Sequence, residues 1–120
     1  MSTSTCDGAR PGPRCESGSQ VDVIYDKRGC AAALKRWPGL RARVAETISA
    51  QAAAGWFKCK GATGRLWHGH KLQECRVNEA GAGSVRVAFW AQGDRAEVVY
   101  ITPTLVKRDF TRELERFLAR

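Results

Sequence analysis

The fold of this chain is decided by residues 70–102, which read HKLQECRVNEAGAGSVRVAFWAQGDRAEVVYIT. Apolar and polar residues alternate in the segments HKLQECRV (70–77), SVRVAFW (84–90) and AEVVYIT (96–102), as they do in strands with one buried face. The turn-forming stretches NEAGAG and QGDR separate these segments. Because such connections are too short for a crossover, the pattern predicts an antiparallel meander of three strands.

Helical segments flank the meander on both sides. VDVIYD (21–26) alternates and predicts a first strand, and CAAALKRW (30–37) predicts a short helix that Pro38 ends. A second helix is predicted over residues 38–54, with Pro38 in its first turn and Gly55 as its end. It carries an apolar residue at every fourth position: Leu40, Val44, Ile48 and Ala52.

The C-terminal segment KRDFTRELERFLAR (107–120) predicts an amphipathic helix. Its apolar stripe consists of Phe110, Leu114, Phe117 and Leu118. The predicted fold class is therefore α+β with the order β-α-α-β-β-β-α, an antiparallel meander sheet packed against a helical hairpin. Residues 55–69 have no clean period and combine four glycines with several basic residues, so we expect a basic loop there.

Length and composition indicate one folded domain whose net charge is compatible with a polyanionic partner. The 120 residues are sufficient for a single core, expected over residues 21–120, and residues 1–20 have no apolar run, so a disordered tail is expected. Lys and Arg outnumber Asp and Glu by 20 to 12, which gives a net charge of +8 that favours a polyanion. The sequence has neither an apolar run long enough to span a membrane nor a secretory signal, and a cytoplasmic location is expected.

Five cysteines raise the question of a metal site or a disulfide framework. The nearest two, Cys6 and Cys15, are nine residues apart, whereas zinc ligands usually come in pairs two to four residues apart. An odd number of cysteines without a signal peptide also disfavours a disulfide framework. We expect free thiols and no metal or other cofactor, and keep a site built from Cys59, His68, His70 and Cys75 as a minor alternative.

The order of elements resembles the RelE/ParE superfamily of bacterial toxins. The segments KLQECRV, SVRVAFW and AEVVYITPTLVKR, followed by an amphipathic helix, are similar to the meander and tail of RelE and HigB proteins. The first strand of the meander has Glu74, Arg76 and Asn78 where RelE has paired lysines, which favours a HigB-like or more divergent member. The resemblance covers residues 21–120 and implies a type II toxin that cleaves mRNA in association with the ribosome, with a helix-turn-helix antitoxin as its partner.

The resemblance also implies a set of site residues. Arg86 matches the family's arginine that faces the scissile phosphate, and the alternation of Val85, Val87 and Phe89 places it on the opposite sheet face. Arginine suits a developing phosphorane because its fork holds two phosphate oxygens. The candidate catalytic residues are Arg86, Arg76, Arg108, His70 and His68. The candidate RNA-binding residues are Lys58, Lys60, Arg65, Lys71 and Lys107.

Several points stay open at the level of sequence. His68 and His70 are the side chains whose ordinary pKa suits proton transfer near neutral pH, and they are also compatible with a role as ordinary loop residues. Trp90 shares the Arg86 face by alternation, where it lines an RNA groove or covers the sheet. The register that decides whether Arg76 and Arg86 share a face is not fixed. Because Arg86 is expected on the solvent-exposed face of the sheet, away from the apolar core, we expect Arg86→Ala to leave the fold intact.

Two alternative functions fit the same sequence. A ParE-like inhibitor of DNA gyrase keeps the fold and performs no catalysis. A non-enzymatic RNA-binding module requires only the charge and the sheet.

Overall fold

The computed structural model describes residues 21–56 and 59–119. In chain order its elements are β1 (Asp22–Tyr25), α1 (Lys27–Arg36), α2 (Leu40–Ala53), β2 (Lys60–Trp67), β3 (His70–Glu79), β4 (Gly83–Gln92), β5 (Arg95–Thr102) and α3 (Lys107–Leu118). The protein is α+β, and within these ranges a five-stranded sheet of order β1-β5-β4-β3-β2 is accompanied by three helices. The predicted tail, residues 1–20, lies outside the described residues.

The meander of β3, β4 and β5 confirms the central sequence prediction. β3 pairs antiparallel with β4, and β4 pairs antiparallel with β5. At the two turns Gly83 and Gly93 have φ values of +71° and +63°, which glycine adopts without a steric penalty. The register is now defined, and Arg76 lies directly opposite Arg86. The two arginines therefore share a sheet face.

Residues 60–67 form the strand β2, so the prediction of a loop over residues 55–69 was wrong there. β2 pairs antiparallel with β3, and its register shifts between Gly61 and Leu66. Trp67 pairs with His70 across a two-residue turn in which His68 and Gly69 have φ values of +48° and +84°. Two positive φ values are the signature of a type I′ hairpin turn. The prediction missed β2 because glycines and the register shift interrupt its alternation.

The sheet is mixed rather than wholly antiparallel, which corrects a second expectation. β1 lies at the edge and pairs parallel with β5, from Asp22 opposite Arg95 to Tyr25 opposite Val98. A parallel neighbour requires a long connection. Everything from α1 to β4 lies between these two strands in sequence, so local patterns carry no information on their pairing.

The helix boundaries differ slightly from the predicted ones. α1 begins at Lys27 rather than at Cys30, because Asp26 is its N-cap and accepts a hydrogen bond from the Gly29 amide at 2.9 Å. α2 begins at Leu40, two residues after Pro38, and α3 ends at Leu118. None of the helices in the described ranges combines the length and apolar character needed to cross a membrane.

Both faces of the sheet are covered, whereas the sequence predicted a sheet packed against one helical hairpin. On one face α1 and α2 pack against a core that includes Val77, Val85, Val87, Phe89 and Val98. On the other face α3 packs with its stripe, and the second core consists of Ala62, Leu72, Ala88, Val99, Phe110, Leu114 and Phe117. This second core places α3 over the sheet face that carries Arg86.

Candidate functional site

A buried carboxylate lies at the centre of the candidate site. Glu74 on β3 is 2% exposed. One of its oxygens accepts a hydrogen bond from the Arg86 guanidinium of β4, and the other accepts one from the Lys107 ammonium at the start of α3. A buried carboxylate needs such partners, because an unpaired charge in the interior is strongly unfavourable. Glu74 therefore joins two strands and the first turn of α3.

Arg86 is held on several sides by the protein. It donates a second hydrogen bond, from Nη2 to the Leu105 carbonyl oxygen at 2.5 Å, and its guanidinium lies 5.6 Å from the centre of the Phe110 ring. Its side chain is 15% exposed. Its Nε is buried and has no hydrogen-bond partner among the described residues. The expectation that Arg86 lies on a solvent-facing side was wrong, because α3 covers it. The prediction that its removal leaves the fold intact thereby loses its premise.

Two further cations lie beside the ion pair of Glu74 and Arg86. Lys60 is the β2 residue opposite Glu74, and Arg76 is the β3 residue opposite Arg86, so both share the face of the pair. Both side chains are exposed, and Lys107 is 49% exposed and also donates to the Gly61 carbonyl at 2.8 Å. The candidate site thus combines four cations with one carboxylate. An anion from solution is attracted to this excess of positive charge.

A network of hydroxyl groups fixes the loop that leads into α3. The Glu113 carboxylate accepts hydrogen bonds from Tyr100 Oη at 2.5 Å and from Thr104 Oγ1 at 2.8 Å. Burial acts to raise the pKa of Glu113, and the hydrogen bonds from Tyr100 and Thr104 outweigh it, so that the pKa lies below its ordinary value. The network orders residues 102–104, which precede Leu105 and Lys107. This network therefore helps to hold Leu105 against Arg86 and Lys107 against Glu74.

The two histidines lie at the other end of the same sheet face. His70 stacks on Trp90, with ring centres 3.8 Å apart and an interplanar angle of 3°. His68 is exposed in the turn and contacts the edge of Trp67. His70 is four residues from Glu74 on β3, about 13 Å along the strand, and the buried Leu72 lies between them under α3. The structure does not bring the histidines together with Arg86.

The remaining predicted site residues are spread around the sheet. Arg108 is exposed on α3, Arg65 is exposed on β2, and Lys71 is exposed on β3. Lys71 alternates with Leu72 and therefore lies on the face opposite to α3. Lys58 lies outside the described residues.

Glu74 is the member of the candidate site that the sequence analysis did not select. Alternation placed it on the same face as Arg76, and this was the available signal. What was missing was the partner, because Lys107 is 33 residues away in sequence and reaches Glu74 only after α3 has packed.

The thiols in the described part of the chain are free. Cys30 and Cys75 are buried and Cys59 is partly exposed. Cys59 and Cys75 are hydrogen-bonded through their sulfur atoms, which lowers the pKa of Cys59 and raises that of Cys75. Within the described ranges no group of three or more His, Cys, Asp or Glu side chains is placed to hold a metal ion.

Comparison with protein-family models, with curated proteins and with solved structures found no match to this chain. The class that the fold and the site define is a small basic α+β protein with a cationic site around a buried glutamate.

Proposed function

We propose that this chain is a HigB-like endoribonuclease toxin of a type II toxin–antitoxin pair. The observation that carries the proposal is the arrangement of Lys60, Arg76, Arg86 and Lys107 around Glu74 on one sheet face. Three of the four cations are exposed, and their charge exceeds that of the carboxylate. A phosphate of RNA would complete the charge balance of this cluster.

The proposed reaction is attack of a ribose 2′-hydroxyl on its own 3′-phosphate. The bond between phosphorus and the 2′-oxygen forms while the bond between phosphorus and the 5′-oxygen of the next nucleotide breaks. The 2′-hydroxyl loses its proton and the 5′-oxygen gains one, so the products carry a 2′,3′-cyclic phosphate and a free 5′-hydroxyl. No metal, oxidant or other co-reactant takes part.

In this proposal the cations stabilise the phosphorane. Lys107 and Arg76 are exposed and contact the phosphate, whereas Arg86 is held by Glu74 and Leu105 and contributes its charge from behind. Both oxygens of Glu74 are occupied by cations, so we assign Glu74 a positioning role. The histidines are left out of the proposed site because of their distance along β3.

The test is cleavage of single-stranded RNA by the purified full chain in the presence of a metal chelator. Arg76→Gln removes an exposed cation and is expected to lower the cleavage rate about a hundredfold without unfolding the protein. Lys107→Gln should lower the rate similarly, and because Lys107 also binds the buried Glu74 its thermal melting is measured beside its cleavage rate. Lys35→Gln, at the exposed end of α1 on the other sheet face, is the matched control and should cleave at the wild-type rate. Products without a cyclic phosphate, or equal rates for all variants, would refute the proposed site.

The toxin assignment requires a measurement in cells. Expression of the chain alone should arrest growth, and co-expression of a helix-turn-helix antitoxin encoded beside it should relieve the arrest. The proposed targets are mRNA and the translating ribosome. Growth arrest with intact mRNA and inhibited gyrase would instead indicate the ParE-like function.

One observation favours a second candidate function, which is RNA binding without cleavage. Arg86 is covered by α3 and already hydrogen-bonded, and the histidines lie apart from it. A protein that only binds RNA needs exposed cations and no proton donor. Tight salt-dependent binding together with intact RNA in the same assay would favour this second function.

A further inference from the structure

We propose that the outer face of α3 and an aromatic cluster beside its C-terminal end form a binding track for single-stranded RNA. This inference rests on the proposed function, since it extends the cationic site into a path for the substrate. Two independent observations carry it: a row of arginines on α3, and a pre-arranged set of aromatic rings on the same sheet face.

The arginine row follows the exposed side of α3. Arg108, Arg112 and Arg116 are four residues apart and all three are exposed. Residues four apart lie on the same side of a helix, with a rise of about 6 Å between them. Among the described residues none of the three takes part in a salt bridge. The row begins next to Lys107 and therefore continues the cationic site along the helix.

The acidic residues of α3 neutralise this row only in part, because Glu113 lies near Arg116 and the positive charge of Arg116 helps to lower the pKa of Glu113. Glu113 turns inward to Tyr100 and Thr104, and Glu115 accepts a hydrogen bond from Thr63 Oγ1 of β2 at 2.6 Å. Asp109 is exposed in the first turn, where a negative charge is favourable for the helix. Two carboxylates of α3 thus contact the protein, whereas the three arginines and Asp109 are exposed to solvent. The exposed side of α3 therefore keeps an excess of positive charge.

The aromatic cluster consists of Trp67, His70 and Trp90, arranged around Glu97. Both indole N–H groups donate to the same Glu97 oxygen, Trp67 at 3.3 Å and Trp90 at 2.9 Å. His70 lies flat on Trp90, and all three rings remain partly exposed. The Glu97 carboxylate, shared by the two indoles, fixes the orientation of their rings before any ligand binds. Fixed, partly exposed rings are what proteins use to stack the bases of a single strand.

Phe117 joins the two features. It lies in the last turn of α3, next to Arg116, and its ring is 6.0 Å from that of Trp67 at an interplanar angle of 17°. A strand bound with a phosphate at Lys107 would therefore follow the arginines and meet the aromatic rings at the far end. A single-stranded RNA supplies both the phosphates and the bases, whereas an acidic peptide supplies only the negative charge. The combination favours RNA over a protein partner.

The experiment measures binding of a fluorescent 12-nucleotide oligoadenosine in which every 2′-hydroxyl is methylated, so that it is not cleaved. Arg112→Gln/Arg116→Gln is compared with the control Lys35→Gln/Arg36→Gln, which removes the same charge from the end of α1. We expect at least tenfold weaker binding for the first variant. Its slope of log affinity against log salt should fall by about 1.4, since each phosphate contact contributes roughly 0.7 for a single strand. The control variant should lose less affinity for the oligonucleotide than the α3 variant, and its salt slope should fall by less.

The aromatic end is tested with His70→Ala and His70→Phe. Loss of one stacking ring is expected to weaken binding about tenfold without changing the salt slope, and phenylalanine should restore most of the affinity. In a cleavage assay the alanine variant should show a raised KM and an unchanged kcat. A lowered kcat would give His70 a role in proton transfer instead and would overturn its assignment to the track.

The outcomes separate this inference from the proposed function. Wild-type cleavage together with unchanged binding by the α3 and His70 variants would refute the track and leave the ribonuclease standing. Binding that depends on the track, with no cleavage, would support the track and refute the ribonuclease. Equal losses in the α3 variant and its control would show a response to net charge alone and would also refute the track. The track would also be refuted if the α3 variant lost binding to a poly-glutamate peptide while its RNA binding was unchanged. That result would assign the arginines to an acidic protein partner.

Discussion

Arg86 neutralises the buried negative charge of Glu74, and this is how we expect it to stabilise the fold. Its guanidinium is largely buried and bound to the carboxylate of Glu74, which is itself almost inaccessible. Removal of one member of such a pair leaves the other charge in the interior, and the unfavourable free energy of that charge exceeds the value of the lost contact. Arg76 is exposed, so its removal is not expected to leave a charge unpaired in the interior.

We predict that Arg86→Ala lowers the free energy of unfolding by about 3 kcal/mol, measured by urea denaturation at neutral pH. Arg76→Ala is the matched control, and it should change the free energy by less than about 0.5 kcal/mol. The double variant Glu74→Leu/Arg86→Met should be more stable than Arg86→Ala, because it removes the buried carboxylate together with its buried partner. Equal stability of the two single variants would show that the buried pair does not stabilise the fold.

At the scale of elements, the β2–β3 hairpin depends on backbone conformations that few residues adopt. Gly69 has a φ of +84° at the second position of the turn, and His68 has +48° at the first. A side chain at a positive φ collides with its own backbone, apart from any contact with neighbours. Gly64, in the same strand as Lys60, has open space around it and no positive φ.

Gly69→Ala should therefore lower the free energy of unfolding by about 1 kcal/mol, while Gly64→Ala should cause no loss. Neither added methyl group would meet another atom within 4 Å, so the comparison isolates backbone strain from packing. Thermal melting of the two variants beside the wild type is the measurement. A larger loss for Gly64→Ala would mean that the conformation of β2 differs from the one described here.

At the scale of the whole molecule, a buried thiol and a partly buried phenol make stability depend on alkaline pH. Burial is the main cause that raises the pKa of the Cys30 thiol from 9.0 to about 12, and the Asp26 charge adds to it. Burial likewise raises the pKa of Tyr25 from 10.0 to about 12. Cys30 donates to the Val98 carbonyl at 3.2 Å and Tyr25 to the Arg41 carbonyl at 2.7 Å, so both bind their protons in the folded state.

The stability from these two groups is complete below pH 9 and is lost between about pH 9 and pH 12, because the unfolded chain releases their protons first. Cys30→Ser and Tyr25→Phe should each flatten the fall in stability on the alkaline side. The difference in Tm from wild type, followed from pH 7 to pH 11, is the measurement, since other titrations cancel in it. A parallel fall in all three proteins would contradict the assignment to these groups.

The sequence by itself determined the parts of this protein that depend on neighbours along the chain. The alternation of residues 70–102 gave the meander, because successive side chains of a strand point to opposite faces. The four-residue spacing of Leu40, Val44 and Ile48 gave α2 and its buried stripe, and all three are fully buried. The α+β class follows from these periods alone.

Tertiary structure decided which faces and edges are covered. Alternation shows that Arg86 and Val87 lie on different faces, and it carries no information on whether a helix 20 residues later packs over the charged one. That packing joined Glu74, Arg86 and Lys107 into one cluster and placed His70 on Trp90 at the other end of the same face. The pairing of β1 with β5 and of β2 with β3 likewise depended on contacts with the partner strand, which the pattern of a single segment does not contain. The physical reason is that burial and ion pairing are properties of contacts between distant segments, whereas periodicity is a property of one segment.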